Sequence, residues 1–163
     1  MAQLIDPNEM MYTNFEPKQK FRYIMYVDGI PSYIIKKTAR PKITSEIVTL
    51  PHINTERYVK GRSKWEPISM TLYDPIVPSG AQSAMEWIRS GHESVTGRDG
   101  YADFYKKDIT INILGPVGDV VEEWTLKGAW MSEGNFGELS WDESAAICEI
   151  EMTIPYDYAI LQF

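Results

Sequence analysis

At four places along this chain an apolar side chain recurs at every second position. Phe21, Tyr23, Met25 and Val27 do so first, then Ile68, Met70 and Leu72, then Ile109, Ile111 and Ile113, and last Ala146, Cys148, Ile150, Met152 and Ile154. Successive side chains of an extended strand point to opposite faces, so a period of two builds half-buried strands, not helices. Turn chemistry separates these stretches: Asp28-Gly29, Pro51 to Asn54, Lys60 to Ser63, and Gly115-Pro116-Val117-Gly118.

The pattern predicts strands over 19–27, 65–73, 108–114, 119–130 and 145–154. Asp28-Gly29 predicts a tight hairpin returning through Ile30 to Lys37. Residues 38–64 read as a long connection in which only Glu46 to Leu50 looks strand-like. One helix is expected. Ser79 is placed to cap it, Ala81, Ala84, Met85, Trp87 and Ile88 recur at helical spacing, and Gly91 ends it. The expected fold is mainly β: an antiparallel β-sandwich or partial barrel with one flanking α-helix. Residues 1–163 make a chain of single-domain length, with 1–18 as an extended N-terminal arm.

Composition narrows the function. No apolar run reaches the ~18 residues that span a bilayer, so the monomer is not expected to insert into a membrane. Met1 to Glu9 lacks the basic and apolar regions of a secretory signal. The single cysteine, Cys148, forbids an intramolecular disulfide and is expected to be a buried, inert thiol. The net charge is −7 and unevenly spread. Residues 1–82 hold 11 Lys and Arg against 8 Asp and Glu, whereas 83–163 hold 5 against 15. An acidic chain is a poor phosphate binder. The asymmetry fits either an ordinary solvated surface or a subunit with faces of opposite sign that stack head to tail.

Catalytic chemistry is hard to assemble. His52 and His92 have no Cys or His neighbour at metal-ligand spacing, and His92-Glu93 is not followed by a second ligand. Nucleophile elbow, P-loop and dinucleotide fingerprints are absent. Glu122 and Glu123 are adjacent on a strand and point to opposite faces, so they are no carboxylate dyad. Neither catalytic residue, cofactor nor metal is expected.

Three segments carry a resemblance. They are Leu50-Pro51-His52-Ile53-Asn54 leading through Lys60-Gly61 to Trp65–Asp74; the helix end Met85-Glu86-Trp87-Ile88; and Leu126-Lys127-Gly128-Ala129-Trp130 running on through Gly137–Asp142 to Glu149–Met152 and Tyr156-Asp157-Tyr158. In this order they resemble the tail tube proteins of contractile-tailed bacteriophages, over about residues 19–160. Met131 stands where such proteins often have a proline, and the N-terminal arm is long. The resemblance implies a homo-hexameric ring whose inner strands join into one continuous β-barrel. It also implies rings stacked into a rigid tube inside a contractile sheath, with genome passage through the lumen. The implied partners are the tail sheath, tape-measure, baseplate and tail terminator proteins, and the implied location is the virion tail, assembled in the host cytoplasm. DNA passes through without specific binding.

Within that frame Glu149, Glu151 and Thr153 are the lumen-facing candidates, because they alternate with an apolar face; an outer or inter-subunit surface is the other reading. Arg57, Lys60, Arg62 and Lys64 are the candidate contacts to an adjacent subunit or ring, with acidic surface from residues 119–143 as their counterpart. A tube initiator or tail terminator of the same fold, an effector-delivering tube, and an unrelated enzyme or ligand-binding barrel are the alternatives.

Overall fold

A computed structural model describes residues 16–163. The arm expected over residues 1–18 lies almost wholly outside them. Ten strands run in the order β1 (Tyr23–Val27), β2 (Ile35–Thr38), β3 (Lys42–His52), β4 (Thr55–Glu66), β5 (Ile68–Tyr73), β6 (Lys107–Leu114), β7 (Val120–Ala129), β8 (Glu133–Asn135), β9 (Glu149–Ile154) and β10 (Tyr158–Leu161). Helix α1 (Gly80–Gly91) and the short α2 (Ala102–Tyr105) lie between β5 and β6.

Two four-stranded antiparallel sheets face each other, in the orders β1-β6-β7-β10 and β2-β5-β9-β8. Their inner faces supply the core. Met25, Ile109, Ile111 and Leu126 come from the first sheet, and Met70, Leu72, Ile150, Met152 and Ile154 from the second, all at or below 2% exposure. These are the alternating positions of the sequence. Helix α1 closes one side with Ala84 and Trp87, and Trp87 Nε1 donates to Tyr105 O at 2.8 Å. Its cap is the expected one, since Ser79 Oγ accepts from the Gln82 amide at 3.3 Å.

Besides the short second helix α2, where one helix is expected, four expectations differ from the structure. Asp28-Gly29 does turn the chain, but only Val27 and Ile30 pair across it; β1 pairs with β6, and β2 joins the other sheet beside β5. Pro31 lacks a donor and opens a 3-10 turn over Ser32–Ile34, while Ile30 and Ile34 are drawn into the core, so the chain crosses between sheets. Residues 42–66 are no loop: β3 and β4 form a two-stranded hairpin outside both sheets. The strand expected from 145 starts only at Glu149, which leaves Cys148 exposed and not buried. The strand expected over 65–73 is split by Pro67 into the end of β4 and β5.

The segment Leu126–Trp130 has a physical reason for its composition. Leu126 and Ala129 are fully buried. Between them Gly128 takes φ +67°, in the left-handed region, and a Cβ there would lie 2.2 Å from Asp157 Oδ2. Asp157 is held by its amide donating to Lys127 O at 2.9 Å and by Lys106 Nζ at 2.9 and 3.0 Å. Gly128→Ala should therefore destabilise the fold by more than the ~1–2 kcal/mol of left-handed strain alone, read as a lower midpoint in urea unfolding; an unchanged midpoint would refute this account of the motif.

Candidate assembly surfaces

A buried acid holds two parts of the chain that are distant in sequence, Lys18 and the root of the β3–β4 hairpin, at one point of the body. Glu122, on β7, is 6% exposed. Its carboxylate accepts from Lys18 Nζ and from Trp124 Nε1, and Arg40 Nη1 stands 3.5 Å away. Lys18 ends the N-terminal segment, and Arg40 lies at the root of the β3–β4 hairpin. Burial pushes the Glu122 carboxyl up, but the donated hydrogen bonds and two cations outweigh it, and the net shift is down. Glu123 lies on the opposite face of the strand, as the alternation requires.

The outward face of the second sheet gathers the lumen candidates. Glu149, Glu151 and Thr153 share it with Tyr73, Thr71 and Ser69, their register partners on β5. At the sheet edge a bulge in β2 between Ile35 and Lys37 turns both Lys36 and Lys37 outward. Lys36 forms an ion pair with Glu149 and lies 5.5 Å from the Tyr73 ring centroid. The hydrogen bond from Lys36 to Glu149 raises the lysine pKa. Glu149 is thus a paired carboxylate, which strand alternation alone did not indicate. Both edge strands of this sheet, β2 and β8, are open on their outer sides among the described residues.

The hairpin is the second surface. Its root is anchored by Trp65, whose ring centroid is 6.0 Å from that of Tyr156. Lys42 Nζ pairs with Glu66 at 2.8 Å, and Ser45 and Ser63 hydroxyls bond across the strands at 2.7 Å. Beyond the root β3 and β4 pair with each other down to a two-residue turn at Ile53-Asn54, where Ile53 sits at φ +51° and is 94% exposed. Apolar side chains are exposed on both faces. The register puts Val48, Leu50 and Val59 on one face with Arg57 and Lys64, and Ile43, Ile47 and Tyr58 on the other with Lys60. Arg62 lies at a bulge beside Gly61. The four basic candidates are thus on one strand but not on one face.

No three His, Cys, Asp or Glu side chains among the described residues could hold a metal ion. His92 Nδ1 lies 2.6 Å from Asp99 Oδ1 at the rim of a groove below α1, away from both surfaces above.

The Glu122 cluster yields a pH dependence. A carboxyl with a depressed folded-state pKa stabilises fully above its unfolded value, and that contribution is lost as pH falls through the folded pKa. Glu122→Gln should cost about 1–2 kcal/mol at pH 7, a figure discounted because Lys18 and Arg40 are half exposed or more. Urea titrations should show the gap between wild type and variant closing as pH falls below the usual carboxylate range; a gap constant with pH would refute the ion cluster.

A family model for the T4-like virus tail tube protein gp19 matches residues 19–159. No curated protein sequence matches the chain. Among solved structures, a chain of the anti-feeding prophage cap (the AFP tube terminating cap) aligns with TM-score 0.74 and 14% identity over 97% of this chain and 99% of that one. A chain of the PVC sheath-tube complex of an extracellular contractile injection system, in its extended state, aligns with TM-score 0.70 and 17% identity over 98% and 99%. Hcp1 from Flavobacterium johnsoniae aligns with TM-score 0.56 and 12% identity over 87% and 95%. At such identities the likeness to these structures is one of fold.

Proposed function

The chain belongs to the T4-like virus tail tube protein family, and from that premise we propose that six copies close into a ring, with rings stacking into the hollow tube of a contractile tail. The role is structural, not catalytic, and residues 1–163 act as one tube-forming unit. The observation that carries the ring is the second sheet: four strands, two open edges and a polar outward face. Open edges invite pairing with another chain, and closure into a barrel removes them. Six such sheets at ~4.8 Å per strand give a circumference of about 115 Å and a barrel about 37 Å across, wider when the strands tilt. That leaves room for a nucleic-acid duplex.

In this reading Glu149, Glu151 and Thr153 line the lumen, with Ser69 and Thr71 beside them. The wall is nearly balanced in charge, since Lys36 and Lys37 face Glu133, Glu149 and Glu151. DNA therefore slides past without specific binding, because no cationic stripe holds its phosphates. The outside of the tube meets the sheath, and the ends meet baseplate and terminator proteins. A tape-measure protein is a further partner of the tube. The particle is a virion tail assembled in the host cytoplasm, and the monomer does not insert into a membrane.

A second reading is a tube terminator of the same fold. The likeness to the tube terminating cap favours it, while the tail tube family model favours the repeating subunit. Copy number separates them, because only a tube subunit polymerises. An effector-delivering tube, for which the likeness to an extracellular injection system speaks, differs only in cargo.

Electron microscopy of the purified protein should show six-fold rings and tubes, and Arg62→Glu with Lys64→Glu should leave rings but shorten or abolish tubes. A monomer at high concentration would defeat the tube reading, and unchanged tubes in the variant would remove these two residues from the stacking contact. For the lumen, Glu151→Lys changes each ring by about +12 charges and should slow genome release most at low salt. Release at the wild-type rate at every salt concentration would take Glu151 out of the channel wall.

A further inference from the structure

The register of β5 and β9 orients two strongly exposed parts of the described chain. Ile68 lies opposite Ile154, and Tyr73 opposite Glu149. β4 runs into β5 through Pro67, and β2 leaves toward β3 after Thr38, opposite Met70, so the hairpin departs at the Ile154 end. β8 last pairs at Asn135 with Glu151, and the chain rejoins the sheet at Glu149. Residues 136–148 therefore leave from the other end, about 20 Å away along a six-residue strand.

The two projections are complementary. Residues 136–148 expose Leu139 (87%), Trp141 (105%) and Ile147 (65%), flanked by Glu138, Asp142 and Glu143 with no cation among them. The hairpin carries five cations against three acids. One of its faces combines the exposed Val48, Leu50 and Val59 with Arg57 and Lys64. Large apolar side chains left in water on both partners mark an interaction surface, and opposite charge around them sets orientation.

We propose that residues 136–148 of one subunit seat on the β3–β4 hairpin of a second copy in the adjoining ring. Leu139, Trp141 and Ile147 cover the Val48–Leu50–Val59 face, and Asp142 and Glu143 meet Arg57 and Lys64. This rests on the stacked-ring reading and names its contact. It narrows the acidic counterpart from the broad 119–143 surface to one segment, because β7 belongs to the sandwich itself.

A charge exchange tests it by tube length in electron micrographs. D142R/E143R should leave rings without tubes, R57E/K64E should do the same, and the four substitutions together should restore tubes. Trp141→Ser, which alters no charge, should shorten tubes as well. Thermal midpoints should stay at the wild-type value, since all these side chains are outside the core. Wild-type tube length from D142R/E143R or W141S overturns the pairing, as does failure of the combined variant to regain tubes. Absence of tubes from the wild-type protein overturns the tube reading and the pairing together, so the two failures are distinct.

Discussion

The layer of methionine, isoleucine and leucine between the two sheets governs everything outside it. Nine of its side chains are almost wholly excluded from water, and at ~1.5–3 kcal/mol per fully buried large side chain such a layer dominates the stability of a domain this size. It is also complete. Among the described residues both four-stranded sheets spend their apolar faces on each other and on α1, and beyond its root the β3–β4 hairpin packs on neither. The hairpin consequently exposes apolar side chains on both faces, surface that the proposed stacking would cover. In the proposed tube, assembly would thus follow from a finished core, not from a deficient one.

Electrostatics then joins segments distant in sequence. Glu122 replaces an apolar inward position on β7 with a carboxylate. The cations that satisfy it come from the end of the N-terminal segment and from the hairpin root. A buried charge tolerates few arrangements of its partners. One residue therefore ties Lys18 and the hairpin root to the same point on the sandwich.

Much of this was legible in the sequence where period-two alternation faced a core. Ile68, Met70 and Leu72, and likewise Ile150, Met152 and Ile154, are buried as their spacing requires. The same spacing put Glu149, Glu151 and Thr153 on one outward face. What stayed hidden depended on contacts distant in sequence. The β3–β4 hairpin has no core to impose an in-out pattern, and Pro51 and Gly61 gave it the look of a loop. The turn at Asp28-Gly29 was visible, but the crossing between sheets is set by Ile30 and Ile34 finding the core. Lys36 reaches Glu149 only because of a bulge in β2, which no local signal marks. Cys148 follows the alternation of β9 in composition but lies just before the strand begins.

The opposite placement of the hairpin and the 136–148 segment makes the subunit a polar building block. A contact between unlike surfaces does not close on itself along the stacking direction, so it carries no internal limit on length. Each end of the proposed stack would also present a different chemistry, basic hairpins at one and acidic, tryptophan-bearing segments at the other. A factor that starts the stack must recognise one of these and a factor that stops it the other. On that arrangement neither would substitute for its counterpart, and length would be set by something outside the subunit.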